Sequence, residues 1–293
     1  MRASSSWVND HRMPGPPQPN ATFTVAGQEV RWGRWGAGPP VVFCHGTPWS
    51  AALWQPIAAA LGTEFTVYLW DMLGYGTSTM SEGQDVSLAT QAELLTALLD
   101  HWQLDSQPHV IAHDYGGAVS LRAHLLHGAA YRSLALVDVV ALAPWGSAFF
   151  RLVAENASVF ARLPPSLHEA LVRAYIAGAA HHPLSATAHD MLTAPWLGAT
   201  GQSAFYRQIA QADQRYTDEI EPLYPTITIP ALVMWGVEDT WIPVDRAHRL
   251  AQSIPNAELT LIPNAGHLIQ LDAPAAVTAT LQRWILSPRA DRG

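Results

Sequence analysis

Short apolar runs separated by helical stretches set the rhythm of the chain. "ATFTVAG" and "QEVRWGRWG" alternate as strands do and predict an N-terminal hairpin turning near Gly27. "PPVVFCHG", "EFTVYLWD", "HVIAHD" and "RSLALVDVV" are apolar almost throughout, the pattern of strands buried on both faces. Residues 87–102 place Leu94, Leu95, Leu98 and Leu99 on one helical face, and "GGAVSLRAHLLHG" predicts a helix directly after "HVIAHD". From about Pro144 to Pro225 the pattern turns helical and aromatic, broken by "LPPS", "HHP" and "APW". The alternation resumes with "PALVMWG", a helix near 244–253, the strand "AELTLIP" and a last helix from Pro274 to about Leu286. Alternating strands and helices predict an α/β fold with a doubly wound, mostly parallel sheet. The expected organisation is a tail over 1–20, a sheet domain over 21–143 and 226–293, and a helical lid over 144–225. The lid would enter just after a strand's carboxyl end, where open α/β sheets bind ligands.

Composition narrows the partners. The 293 residues are 49% apolar and 14% charged, with net charge −8 and no basic run. Nucleic acid and anionic membranes are therefore not expected partners. The single cysteine, Cys44, lies in an apolar run and reads as a buried structural thiol. The first twenty residues lack an apolar signal-peptide core, and no stretch approaches the ~18 apolar residues of a spanning helix. A cytoplasmic location is the expectation. His124 with His127, and His181 with His182, lack the spacing and acidic partners of a zinc site, so neither metal nor cofactor is expected.

The chemistry concentrates at "VIAHDYGG". Asp114 ends a strand and opens a helix, with Ala112 and Gly116 at the two offsets where a nucleophile elbow needs small residues. Asp239 in "WGVEDTWIP" and His267 in "NAGHLIQLDAP" follow in the order nucleophile, acid, histidine. With "HGTPWS" and "DMLGYGTS", these segments resemble the α/β-hydrolase fold superfamily, and within it the branch with an aspartate nucleophile: epoxide hydrolases, haloalkane dehalogenases and haloacetate dehalogenases. The resemblance spans residues 22–286 and is loose in the lid. It implies an oxyanion hole from the backbone N–H groups of Thr47 and Tyr115, with His45 bracing the loop.

A carboxylate nucleophile has a chemical meaning. On a carbonyl it would form a costly anhydride; on a saturated carbon it forms an ordinary ester. It needs no activating base, because its reference pKa is near 4. His267 would then activate the water that cleaves the ester at the Asp114 carbonyl carbon. For the acid behind His267, Asp239 is favoured and Asp138 stays open. The expected substrate is a small apolar organic molecule, with water.

The leaving group is less defined. The indole donor expected after a dehalogenase nucleophile is replaced by Tyr115, the HGxP donor by Thr47, and the arginine of fluoroacetate-type enzymes is missing. Tyr206 in "SAFYRQ" is similar to a lid tyrosine of epoxide hydrolases, with Tyr175 as a second candidate. Trp49, Trp145 and Trp196 read as pocket lining or indole donors. Epoxide hydrolysis is thus favoured over dehalogenation. A lyase, an isomerase or a binding protein on the same fold is the reading from another class.

Overall fold

The computed structural model describes residues 18–287; the expected tail lies largely outside them, since residues 1–17 are not described. Eight strands form one sheet in the order β1-β2-β4-β3-β5-β6-β7-β8. β1 (Ala21–Val25) and β2 (Gln28–Trp35) form the predicted hairpin, turning through Ala26 and Gly27, both at positive φ. β2 runs antiparallel to β4 (Thr66–Trp70). β3 (Pro40–Cys44), β4, β5 (His109–Asp114), β6 (Ser133–Val139), β7 (Ala231–Gly236) and β8 (Glu258–Ile262) are parallel.

The continuous apolar runs exist because both sheet faces are covered. Side chains alternate across a strand. On β3, Val41 and Phe43 join one core while Val42 and Cys44 join the other. The first core packs against α1 (Gln55–Leu61), through Ile57 and Leu61, and α11 (Pro274–Ile285), through Val277, Leu281 and Trp284. The second packs against α2 (Leu88–Trp102) and α3 (Tyr115–His127). Leu94, Leu95 and Leu98 are buried as their spacing predicts. Ser87 caps α2 by accepting from the Thr90 N–H, and Gln103 ends it in a left-handed turn.

Between β6 and β7 lie α4 (Ala148–Phe160), α5 (Pro165–Ala177), α6 (Ala186–Thr193), α7 (Gly198–Ala210) and α8 (Arg215–Asp218). They sit over the carboxyl ends of the central strands. The Trp196 indole donates to the Pro48 carbonyl at 2.8 Å, and the Thr47 hydroxyl donates to Gln208 Oε1 at 2.6 Å. Beyond β7 come α9 (Asp245–Ser253) and the short α10 (Ile269–Asp272). Among the described residues no helix is long and apolar enough to cross a membrane.

Candidate active site

Asp114 stands between β5 and α3 at φ 50°, ψ −121°, a conformation that L-residues adopt only under strain. Its surroundings leave no room for larger neighbours. A side-chain carbon on Gly116 would lie 2.5 Å from the Cys44 carbonyl oxygen, and one on Gly117 would lie 2.3 Å from Val139 Cβ. Gly46 faces the carboxylate itself, and a methyl there would come within 2.3 Å of Asp114 Cβ. The small residues therefore serve one purpose: they let three backbone segments close around one carboxylate.

The Thr47 N–H donates to Asp114 Oδ1 at 2.7 Å. Tyr115 opens α3, so its N–H is among those that have no partner within the helix. The loop carrying Thr47 is held by His45, whose Nδ1–H donates to the Gly46 carbonyl while Nε2 accepts from the Met72 N–H at 2.9 Å. Asp71 anchors the same region, with Oδ1 accepting from Ala51 and Oδ2 from the Thr77 N–H and hydroxyl.

His267 lies 3.3 Å from Asp114 Oδ2 through Nε2, and its Nδ1–H donates to Asp239 Oδ2 at 2.9 Å. Asp239 is fixed in turn by the N–H groups of Trp241 and Ile242, at 2.8 and 2.9 Å on Oδ1. Burial alone would lower the His267 pKa, but the Asp239 and Asp114 carboxylates hold it well above the usual histidine value. Burial pushes Asp114 up, but the His267 ring and the Thr47 N–H together outweigh it and keep the carboxyl below its usual value. The pair is thus charged on both sides at neutral pH.

Asp138 is the residue where register slips: β5 pairs His113 with Val137 and Asp114 with Val139, so Asp138 is left out at φ 45°. Its Oδ1 accepts from the Gly236 N–H at 2.8 Å, and its side chain lies in hydrogen-bond contact with Asp239. Burial and then the Asp239 charge hold its pKa well above the carboxylate range, which makes it a neutral acid beside Asp239. The two candidate acids therefore take different places, and it is Asp239 that reaches the His267 ring.

A cavity of about 170 Å³ opens onto Asp114. Its floor is buried (Thr47, Asp114, Tyr115, Val140), and its exposed rim includes Pro144, Ser147, Thr240 and Pro243. Trp145, Phe150, Tyr175, Trp241 and Ile242 form the walls. Tyr175 and Trp145 both line the cavity, and the Trp145 N–H is already given to Thr217 Oγ1 at 2.7 Å. The Trp196 N–H is likewise taken by Pro48. Trp49 is not a wall residue; it stacks behind Trp241, ring centres 5.7 Å apart.

The expected lid tyrosine is the main correction. Tyr206 is buried away from the cavity, and its hydroxyl donates to His168 Nδ1 at 2.9 Å while His168 Nε2–H donates to the Trp196 carbonyl. It ties α7 to α5 and has no hydroxyl left for a substrate. The phenols near Asp114 are instead Tyr75, Tyr115 and Tyr175. Burial raises all three pKa values, and the Asp114 charge raises each further, so all keep their protons. The Tyr115 hydroxyl is buried with no partner; that of Tyr75 donates to Gln208 Oε1 at 3.2 Å.

Sequence reading passed over Tyr75, Gln208, Trp241 and His113. His113 directly precedes Asp114 and donates through Nε2–H to the His267 carbonyl at 2.9 Å. Burial, then the His267 charge, lowers its pKa to about 3, so it is a neutral brace. Adjacency to Asp114 was the available signal for His113; the other three arrive from distant segments.

Asp114, His267 and Asp239 meet at the carboxyl edge of one mostly parallel sheet, in the chain order aspartate, aspartate, histidine that an α/β-hydrolase relay follows. A model of the alpha/beta hydrolase family matches residues 41–280, and the chain belongs to that family. The crystal structure of an alpha/beta hydrolase fold protein from Burkholderia ambifaria is 46% identical, covers 92% of this chain and 98% of that one, and superposes with a TM-score of 0.88. Haloalkane dehalogenase 2 of Mycobacterium tuberculosis is 29% identical over 257 residues, 84% of this chain and 87% of the relative. A haloalkane dehalogenase structure from Agrobacterium tumefaciens is similar in fold, with a TM-score of 0.75 at 18% identity, covering 90% of this chain and 95% of that one.

Proposed function

We propose that the protein hydrolyses a bond at a saturated carbon through an alkyl ester on Asp114, with epoxide opening as the favoured reaction. The observation that carries this reading is the charged Asp114 carboxylate on the elbow, 2.7 Å from the Thr47 N–H and 3.3 Å from His267 Nε2. In the first step an Asp114 oxygen bonds to the substrate carbon and the ring C–O bond breaks. The ring oxygen takes a proton from a phenol, Tyr175 on the wall or Tyr115 on the floor. In the second step His267, having first passed its resting proton to the phenolate, takes a proton from water, and the water oxygen bonds to Asp114 Cγ. The Thr47 and Tyr115 N–H groups stabilise the tetrahedral oxyanion, each worth roughly 3 kcal/mol. The acyl C–O bond then breaks, and His267 returns its proton to the departing alkoxide. The second proton of water, left on the Asp114 carboxyl, passes to His267, and both groups regain their resting charge.

An alkoxide needs a proton on leaving and a halide does not, which is why protonated phenols favour the epoxide. Similarity to the Mycobacterium tuberculosis haloalkane dehalogenase supports dehalogenation as a second reading. Matched substrates of one carbon chain, 1,2-epoxyhexane and 1-bromohexane, separate the two. The expected result is diol from the epoxide, with Tyr175→Phe reducing kcat/KM by about 10²-fold on the epoxide and far less on the bromide. Bromide release without diol formation decides for the second reading.

A further inference from the structure

The cavity carries one negative group at its floor, Asp114, and among the described residues lining it one positive group, Arg246. Arg246 lies in the first turn of α9, among the rim residues Thr240 and Pro243. Its side chain is only 17% exposed, yet it is poorly paired. One N–H group, on Nη1, donates to the Ala143 carbonyl at 3.2 Å. Its contact with Asp245 is long, 3.8 Å, to a carboxylate that is 62% exposed. Exposed ion pairs of that kind contribute little.

A guanidinium has five N–H donors in a planar fork, and burying them unpaired is costly. Arg122 and Arg207 each hold a buried Nε with no partner, whereas no Arg246 nitrogen is sealed off in this way. Arg246 is thus a cavity-lining cation with donors left over beyond its bond to Ala143. Arg246 also borders a second, small hollow bounded by Val139, Trp235 and Leu250, so the residue lies between that hollow and the cavity.

We propose that Arg246 is a substrate-binding residue that clamps the carboxylate of an aliphatic acid whose far end reaches Asp114. The walls between the two charges are apolar and aromatic: Trp145, Phe150, Trp241 and Ile242. A carboxylate placed near the floor would meet the Asp114 charge, whereas at the rim it meets the guanidinium. The field thus orients a long acid with its anionic end outward and disfavours short α-substituted acids. This assignment rests on the Asp114 reading for where the reactive carbon lies, but the clamp can be tested without any reaction.

The test is calorimetric binding of butanoate, hexanoate and octanoate, each beside its neutral amide, to the full-length protein and to Arg246→Gln and Arg246→Lys. The expected result is that the best carboxylate binds the wild type about tenfold or more tightly than its amide, as a charge-assisted fork predicts. Arg246→Gln removes that preference while amide binding holds, and Arg246→Lys restores part of it. Equal binding of acids and amides by the wild type, or an unchanged preference in a folded Arg246→Gln, overturns the clamp. Because no bond is broken, failure here leaves the ester on Asp114 standing. Conversely, tight carboxylate binding by a protein that forms no ester separates the clamp from the chemistry.

Discussion

His267→Gln is expected to stop turnover and leave the enzyme esterified on Asp114. The first step needs the carboxylate, the phenols and the cavity walls; the substitution leaves these groups in place, and the Thr47 N–H still donates to Asp114 Oδ1 in support of its charge. The second step needs a base at the ring position, and glutamine has none. The loss in kcat is expected to be roughly 10⁴-fold or more, the scale at which removal of a relay histidine is felt. Intact-protein mass spectrometry after incubation with an epoxide should show a gain equal to the whole substrate; a bromide should add its alkyl group alone. A variant that remains unmodified while the wild type turns over the same compound contradicts the role given to the ring.

Electrostatics adds a reason for the order of events. In the resting site His267 lies between two carboxylates, whose charges hold its pKa well above the usual value. The proposed esterification of Asp114 would remove one of them. The His267 pKa would then fall, and the ring would become a base at the stage when water must be activated.

Asp239→Asn is expected to lower kcat by roughly 10³- to 10⁴-fold, as loss of the relay acid does elsewhere, and Asp138→Asn far less. Asp239 Oδ2 accepts from His267 Nδ1–H at 2.9 Å, whereas Asp138 bonds the Gly236 N–H and carries a proton. Asparagine at 239 loses the charge that supports imidazolium and can present an N–H to a nitrogen that must itself donate. At 138 asparagine replaces a neutral acid with a neutral amide. Steady-state kinetics on both variants checks this; a larger loss at 138 than at 239 would exchange their roles.

The strands were legible because burial on both faces writes continuous apolar runs into β3, β5 and β6. The last helix of the sheet domain begins at Pro274 as expected, because proline is suited to a first helical turn. The elbow was legible for a similar reason: Gly116 and Ala112 are small where the backbone leaves no space. Tyr206 was misplaced because its role depends on how α7 is rotated about its axis, and that is set by the distant His168 and Trp196. Arg246 was passed over because nothing in "PVDRAHR" shows that α9 brings this residue, and not Arg249, to the cavity rim. The choice between Asp239 and Asp138 stayed open for the same reason. Asp138 lies at the end of β6 and Asp239 in the loop just after β7, and only the three-dimensional path of that loop brings Asp239 to His267 Nδ1.

The most direct measurement of the central claim is a single turnover in heavy-oxygen water, with protein in excess of substrate, followed by peptide mass analysis. Water attacks Asp114 Cγ in this account, so one heavy oxygen should enter the Asp114 side chain while the product carries none from that turnover. Heavy oxygen in the product and none in Asp114 would mean that water attacks the substrate directly, and no ester forms.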